Sequence, residues 1–414
     1  MPKAIFFIGL IMLIFGFTKI YQPTESIPVV PQQELADPVR DSLQLFIQQF
    51  DSTLKAGAAA RGLPGGAYVI TYGDAVLASE GFGVRELGST MPIDEYTVFR
   101  LGSVSKGFAS VLTGKMVDQD FLSFDDTVAH ILPYFKLQDR EQSGRVKVRH
   151  LLEHTTGLPR HAYTNLVEDG LSLERIIPRF KDVPLIDREG QQHAYTNAAY
   201  SVIEKVLEKR TNTDFKTLLE EELFEPLGMS QASAHFSVFE TNTNVAQPHL
   251  YSYRQKKRVS ISIKNNYFNA ISAGGINASV ADMGNWLLLL TGNRPDLISE
   301  STLDEIFTPV SRIPNKRFSR HYDGVNESYY GMGWRVLENA DQTIVYHGGY
   351  VNGYRSEIAF DRERKIGISI LLNSNSSYAL EVIPEFFEEF NRIHDFAIAH
   401  QDSLYQQSSS QNSE

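Results

Sequence analysis

Strand-like runs crowd the two ends of this 414-residue chain while helical periodicity fills its middle, and that arrangement restricts the fold more than any other feature. Near the start, residues 67–72 and 75–79 read as two short strands joined by Gly73-Asp74. Near the end, residues 333–337, 343–347, 354–360 and 366–372 are β-rich and separated by turn residues. Between them, helices are expected over 195–210, 214–224 and 279–290, the last capped by Ser279 with Asp282 three residues on. Amphipathic helices over 37–60 and 386–399 flank the whole. Such an order is satisfied by one antiparallel sheet built from both ends, flanked by helices and carrying a mostly helical insertion, an α/β (α+β) architecture. With 42% hydrophobic residues, the chain can bury one large core, so residues 40–400 are expected to form one domain.

The two ends read differently. Lys3 precedes an apolar run over 4–17 that ends at Thr18-Lys19. It suits a secretory signal and is short for a full membrane span. No small-residue cleavage site follows, so residues 1–21 are expected to be a signal peptide or an uncleaved anchor. An extracytoplasmic, periplasmic location follows, with membrane association through 4–21. Residues 22–39 read as a Pro-rich linker, and the Gln- and Ser-rich residues 401–414 as a disordered tail. With no cysteine, disulfides and lipoprotein processing are excluded. A net charge of −11 argues against nucleic acid, and Lys256, Lys257 and Arg258 read as a solvated hairpin tip. A monomer acting on a small molecule is expected.

Chemistry concentrates first at Ser103 and Lys106. Val104, Phe108, Val111, Leu112 and Met116 recur at helical spacing, so residues 99–117 read as an amphipathic helix with Ser103 just inside its start. Residues three apart share a helix face, which brings the Lys106 amine within reach of the Ser103 hydroxyl. A serine becomes nucleophilic when a base takes its proton, and a lysine whose pKa is depressed by burial can be that base. The pattern alone is cheap, because Ser52 and Lys55 repeat it in an Ala- and Gln-rich segment.

A rival sits at His150-Leu151-Leu152-Glu153-His154, the His-x-x-Glu-His pattern of some zinc peptidases. Gly157-Leu158-Pro159 ends that helix at once, and the other reading has His154 ordering the turn Thr155-Thr156-Gly157. No Gly-x-Ser-x-Gly elbow is present. A further proton relay is offered by Tyr-x-Asn, which occurs four times: Tyr163/Asn165, Tyr195/Asn197, Tyr267/Asn269 and Tyr350/Asn352. Tyr195 is favoured because it directly precedes a strong helix with Asn197 at its N-cap. A tyrosine serves as a base if neighbouring cations lower its pKa. Finally, His347-Gly348-Gly349 ends an expected strand, where glycines allow close approach of substrate. The N–H groups of Ser103 and Tyr350 would then form an oxyanion hole. Taken alone, the triplet also reads as a plain hairpin turn.

Together these pieces resemble the class C β-lactamase and penicillin-binding serine hydrolase family. The matching stretches stand in family order: Leu-Gly-Ser-Val-Ser-Lys at 101–106, Leu-Leu-Glu-His-Thr-Thr-Gly-Leu at 151–158, Tyr195-Thr196-Asn197, Glu225-Pro226-Leu227-Gly228-Met229, Gly274-Gly275-Ile276, and His347-Gly348-Gly349 with Gly353-Tyr354. The resemblance implies a β-lactamase/DD-peptidase-like fold, an acyl-enzyme on Ser103, proton transfer by Lys106 and Tyr195, substrate binding by Asn197, His347, Gly348, Gly349 and Tyr350, and neither metal nor cofactor. It favours Tyr195 over Tyr163 and a structural role for His150 and His154. Two positions depart from the pattern. His347-Gly348-Gly349 stands where efficient class C enzymes carry Lys-Thr-Gly, and a histidine near pKa 6.5 supplies only part of that charge. His161 replaces a typical glutamine, and Arg355 is a candidate to restore some charge. The implied activity is hydrolysis of β-lactam amides or D-Ala-type peptides. The alternatives are an esterase using the same groups and a non-catalytic binding or scaffolding relative.

Overall fold

A computed structural model describes residues 38–314, 327–339 and 342–411. The expected signal or anchor over 1–21, and the linker as far as 37, lie outside the described residues. Among the described residues no helix is long and apolar enough to cross a membrane.

Helix α1 (Pro38–Ala60) leads into the hairpin β1 (Gly65–Tyr72) and β2 (Ala75–Gly83). Next come the central helix α2 (Ser105–Asp118), then α3 (Val202–Thr211) and α4 (Val280–Leu290) of the helical insertion. The remaining strands of the large sheet are β3 (Ser311–Arg312), β4 (Glu327–Tyr330), β5 (Arg335–Glu338), β6 (Thr343–Val351), β7 (Tyr354–Asp361) and β8 (Ile366–Leu372), and α5 (Tyr378–Gln411) closes the chain. They form one antiparallel sheet in the order β2-β1-β8-β7-β6-β5-β4-β3. The two ends of the chain therefore meet at its centre, with Ala67 opposite Leu371 and Ile70 opposite Ile368.

Period-two alternation divides the sheet between two cores. Tyr68, Ile70, Ile368 and Ile370 face α1 and α5, where Leu43, Phe46, Phe50, Phe386 and Phe390 pack. Ala67, Val69, Ile358, Phe360 and Leu371 face the helical insertion. Because β8 is covered on both faces, it reads as a nearly unbroken apolar run.

Helix α2 runs through the middle of the second core. Its expected amphipathic character is corrected: it is buried on nearly every side, and Lys106, Ser110 and Thr113 are as enclosed as Phe108. Phe108 stacks on Trp286 of α4 with ring centroids 4.0 Å apart. At Gly107 an added Cβ would lie 2.2 Å from the Trp334 ring, so only glycine leaves room for that ring, just ahead of β5, against the helix.

Several boundaries also differ from the sequence reading. The helix expected over 195–210 is two, Asn197–Tyr200 and α3, and the cap position belongs to Thr196. Asn197 lies inside the first turn, which frees its side chain for other partners. The helix expected over 214–224 becomes an α-turn, Phe215–Leu219, followed by a wider π turn, Glu220–Phe224. The hairpin-turn reading of residues 347–349 is overturned, because β6 runs on to Val351 and pairs Gly348 with Glu357 and Gly349 with Ser356. The turn itself is Asn352-Gly353, with φ of 45° and 86°. Two consecutive positive φ values match a type I′ hairpin. At the end of the chain, α5 continues to Gln411 through residues expected to be disordered. Past Pro384 it meets neither Gly nor Pro, and a nucleated helix extends at little cost through Ser and Gln.

Candidate active site

Ser103 lies on a 3₁₀ turn, Gly102–Val104, directly ahead of α2. The turn is tied down from two sides. Leu101 N–H donates to Ile276 O, and Ile276 N–H donates to Ser105 Oγ, at 3.0 and 3.1 Å. On the sheet side, Ser356 Oγ donates to Leu101 O. Gly102 has a φ of +51°, and a Cβ there would sit 2.9 Å from Tyr350 N. A left-handed glycine thus lets the Tyr350 amide lie against the serine turn.

That amide has no hydrogen-bond acceptor among the described residues. Counting alternate bonded pairs back from the Val351–Tyr354 pair that closes the type I′ turn, Tyr350 and Arg355 form a non-bonded pair, so the Tyr350 N–H points away from β7. On the other side β5 pairs only with residues 343–346. The open edge of β6 from His347 onward therefore faces the serine. At Gly349 a Cβ would come within 2.0 Å of Leu101 O, so this close approach needs glycine.

Around the serine, Tyr195 OH donates to Ser103 Oγ at 2.9 Å, and Lys106 Nζ lies 3.4 Å from the same oxygen. Lys106 is fully buried and forms no ion pair among the described residues. It donates instead to Asn197 Oδ1 and Ala273 O, each at 2.8 Å. Burial, reinforced by the Arg335 charge, holds its pKa well below the ordinary lysine value. Tyr195 moves the other way. Burial raises the phenol to about 12, against the opposing pull of its Ser103 hydrogen bond, Arg335 and Arg160. The sequence reading had cations lowering this tyrosine, and here burial outweighs them. At neutral pH the centre holds a protonated phenol and an amine inclined to be neutral.

Supporting groups fix both. Asn197 Nδ2 donates to Tyr267 OH at 3.1 Å, and Tyr267 OH donates to Glu168 Oε1 at 3.2 Å. Next to Ala273, Ser272 donates through its N–H and hydroxyl to buried Glu204, whose carboxyl burial raises to about 8. The His154 ring packs against Tyr195 at a tilt of 41° with centroids 4.3 Å apart, and its Nδ1 accepts the Thr196 N–H at 3.2 Å. His161 N–H donates to Tyr195 O at 3.0 Å.

A model of the family described as Beta-lactamase matches residues 50–384. The chain belongs to the beta-lactamase family. Among curated relatives, it is 21% identical to Protein flp of Staphylococcus aureus (strain MRSA252) over 83% of this chain and 65% of that protein. It is 24% identical to Beta-lactamase-like protein 2 of Dictyostelium discoideum over 79% of this chain and 59% of that one. The chain thus spans less than two thirds of these relatives' lengths. Among solved structures, the octameric penicillin-binding protein homologue from Pyrococcus abyssi is similar at a TM-score of 0.71 and 23% identity, covering 83% of this chain and 77% of that one. EstCE1, a hydrolase with promiscuous acyltransferase activity, is similar at 0.69 and 19% identity, covering 82% of this chain and 98% of that one. These likenesses show the fold.

Within this beta-lactamase-family chain, Ser103, Lys106, Tyr195 and Asn197 come together, and Gly348, Gly349 and Tyr350 line the edge beside them. His347 is corrected. It is 1% exposed, bonded through Nε2 to Tyr330 OH at 3.1 Å and through Nδ1 to Gly348 O at 2.9 Å. Burial, then the Arg335 charge, drives its pKa well below 6.5, so it supplies a neutral imidazole rather than part of a cation. Arg355 is not a free replacement, because it pairs with buried Glu357.

The zinc reading has no support in the geometry. His150 Nδ1 accepts the Lys147 N–H, His154 Nδ1 is taken by Thr196, and Glu153 accepts from Thr155. No cluster able to hold a metal occurs among the described residues. Tyr163 donates to Arg179 O, and Asn269 holds Val167 O and Leu171 O. Arg335, the Tyr267–Glu168 link and Ala273 O are the site features that the sequence reading missed. The one available signal was an arginine inside the apolar strand Trp334-Arg335-Val336-Leu337.

Proposed function

We propose that this protein is a serine hydrolase that works through an acyl-enzyme on Ser103. The observation that carries the reading is the hydrogen bond from Tyr195 OH to Ser103 Oγ beside a buried Lys106 with no acidic partner among the described residues. A neutral amine that has given two N–H groups to Asn197 and Ala273 keeps its lone pair for the Ser103 proton. As the Oγ–carbonyl bond forms, that proton passes to Lys106, and the Ser103 and Tyr350 N–H groups receive the developing oxyanion. The leaving group departs with the Tyr195 proton, which Lys106 then returns to the phenol. Water repeats the sequence on the acyl-enzyme and releases the acid.

As substrates we propose β-lactam amides or D-Ala-type peptides. A second reading, small acyl esters, is favoured by neutral His347 and paired Arg355, which leave no fixed free charge on the strand edge beside Ser103. Export through residues 1–21 belongs to the same proposal. A chromogenic cephalosporin and a short-chain nitrophenyl ester, each run on wild type and Ser103→Ala, test it. Turnover of at least one, lost on substitution, is expected, with a fluorescent penicillin or ester adduct on the Ser103 peptide by mass spectrometry. Turnover that survives Ser103→Ala sinks the reading. No turnover and no adduct would instead leave the non-catalytic relative.

A further inference from the structure

Residues 241–281 carry five Lys and Arg and no Asp or Glu, in a chain whose net charge is −11. Four of those cations, Arg254, Lys256, Lys257 and Arg258, fall within five positions. The structure gathers them at the end of a two-stranded hairpin outside the large sheet, in which His249–Ser252 pairs with Lys257–Ser260. No residue over 250–266 is buried, so this arm stands off the body.

Its base is fixed. His249 N–H donates to Asn373 O at 2.9 Å, and Arg258 donates to Asn375 Oδ1 at 3.3 Å. Ser260 Oγ donates to Glu86 there at 2.8 Å. The tip is tied only to itself, through Gln255 N–H to Ser252 Oγ at 3.2 Å, and Arg254, Lys256 and Lys257 form no ion pair among the described residues. Beside these cations Tyr251 and Tyr253 meet edge to face with ring centroids 5.2 Å apart, and Tyr253 is 87% exposed. A two-stranded hairpin gains little from its own packing, and rings so exposed add no burial to it.

Cations and amphipathic rings on a narrow, protruding tip suit a broad anionic surface better than a shaped partner. Tyrosine settles at the boundary of a bilayer, and Lys and Arg are drawn to anionic headgroups there. Chain length permits the contact, because residues 22–37, between the apolar run and α1, span at most about 50 Å when extended. We propose that this hairpin docks on a bilayer bearing anionic lipid headgroups, with Tyr251 and Tyr253 at headgroup level and Arg254, Lys256 and Lys257 against the lipid charge. The arm shares its base with the turn that follows β6. Asn352 Nδ2 donates to Ser262 O at 3.2 Å, and an added Cβ at Gly353 would lie 3.2 Å from His249 O. A docked arm therefore holds the far end of β6, and the serine beside it, near the lipid surface. The proposal stands whether or not Ser103 forms an acyl-enzyme.

The chain has no cysteine, so Gln255→Cys places a single environment-sensitive dye at the tip of the full chain. The labelled protein is mixed with vesicles of phosphatidylcholine alone, or of phosphatidylcholine with phosphatidylglycerol. Binding through residues 4–21 is open on both vesicles, whereas the dye reports contact at the tip. Its emission is expected to shift blue on the anionic vesicles alone, and added salt is expected to reverse the shift. Combining Arg254→Gln, Lys256→Gln and Lys257→Gln should lower the docking equilibrium about 100-fold, since each cation near the surface is worth about fivefold. Tyr253→Ser should lower it less. Melting temperatures report on folding, and Lys257→Gln alone, expected to cost about fivefold, keeps the test if the triple variant does not melt like wild type. A shift that is equal on neutral vesicles, or that survives the triple substitution, overturns the proposal. A dye that stays unshifted on anionic vesicles overturns it too. If soluble polyglutamate shifts the dye and anionic vesicles do not, the arm serves an acidic polypeptide and the membrane proposal falls.

Discussion

The same four-residue pattern, Ser-x-x-Lys, occurs twice in this molecule with opposite surroundings. On α1, Ser52 Oγ donates to Gln48 O, and Lys55 pairs with Asp51 at 2.7 Å with 39% of its side chain exposed. At α2, Ser103 accepts from Tyr195, and Lys106 is completely enclosed with an amide and a carbonyl for company. The exposed lysine has an acidic partner and water around it. A buried one without an acid is pushed toward the neutral amine that can accept a proton. The difference in chemistry lies in burial and partners, since the local spacing is identical.

The sharpest way to break this contrast is to delete each hydroxyl. Ser103→Ala is expected to lower kcat by about a thousandfold or more, whereas Ser52→Ala stays within about twofold. Comparable losses at both positions would dissolve the distinction. Removing the amines comes next. Lys106→Met should cost about 100- to 10,000-fold in kcat/KM, while Lys55→Met should change stability by no more than about 0.5 kcal/mol and leave rate alone.

The pH profile tests the charge state directly. Lys106 must be neutral to act, and its folded pKa is depressed, so kcat/KM should rise through an acidic limb well below 10.5. The plateau should then hold until Tyr195 loses its proton near 12. A limb near 10.5 would show that burial leaves Lys106 unshifted.

Smaller effects come from the groups that surround Lys106. Tyr267→Phe removes the acceptor of Asn197 Nδ2 and is expected to slow turnover about three- to tenfold, without changing KM for a neutral ester. Glu204→Gln should act on stability instead. The Glu204 pKa is raised to about 8, so its contribution is complete below its ordinary 4.5 and is lost as pH rises through 8. The melting temperature of the variant relative to wild type should therefore climb by about 2–4 °C between pH 5 and 8, and a pH-independent difference would refute a buried, protonated Glu204.

Much of this was legible in the residues. The two-ended sheet followed from period-two runs at 67–79 and 333–372, and the grouping of Ser103, Lys106, Tyr195 and Asn197 followed from motif order. The charge state of the site was not, because it is tertiary. Nothing near Tyr195 in sequence says that burial outweighs Arg335 and Arg160, and nothing near His347 says that Tyr330 will enclose it. Gly348-Gly349 carries no hydrophobic period, so only pairing with β7 distinguishes strand from turn. The continuous run over 195–210 hid the break at Ser201 for a similar reason, since both short helices present apolar residues inward.

The pairing of β1 with β8 carries one last consequence, for how the chain acquires its shape. The Gly65 N–H is held by Asn373 Oδ1, a partner 308 positions away, and Gly102 rests against the Tyr350 backbone. Such distant closures are slow, because a long loop must be ordered before any contact rewards it. A ribosome that has delivered the serine helix has therefore made nothing reactive. The Tyr350 amide reaches the serine turn only after the C-terminal hairpin arrives.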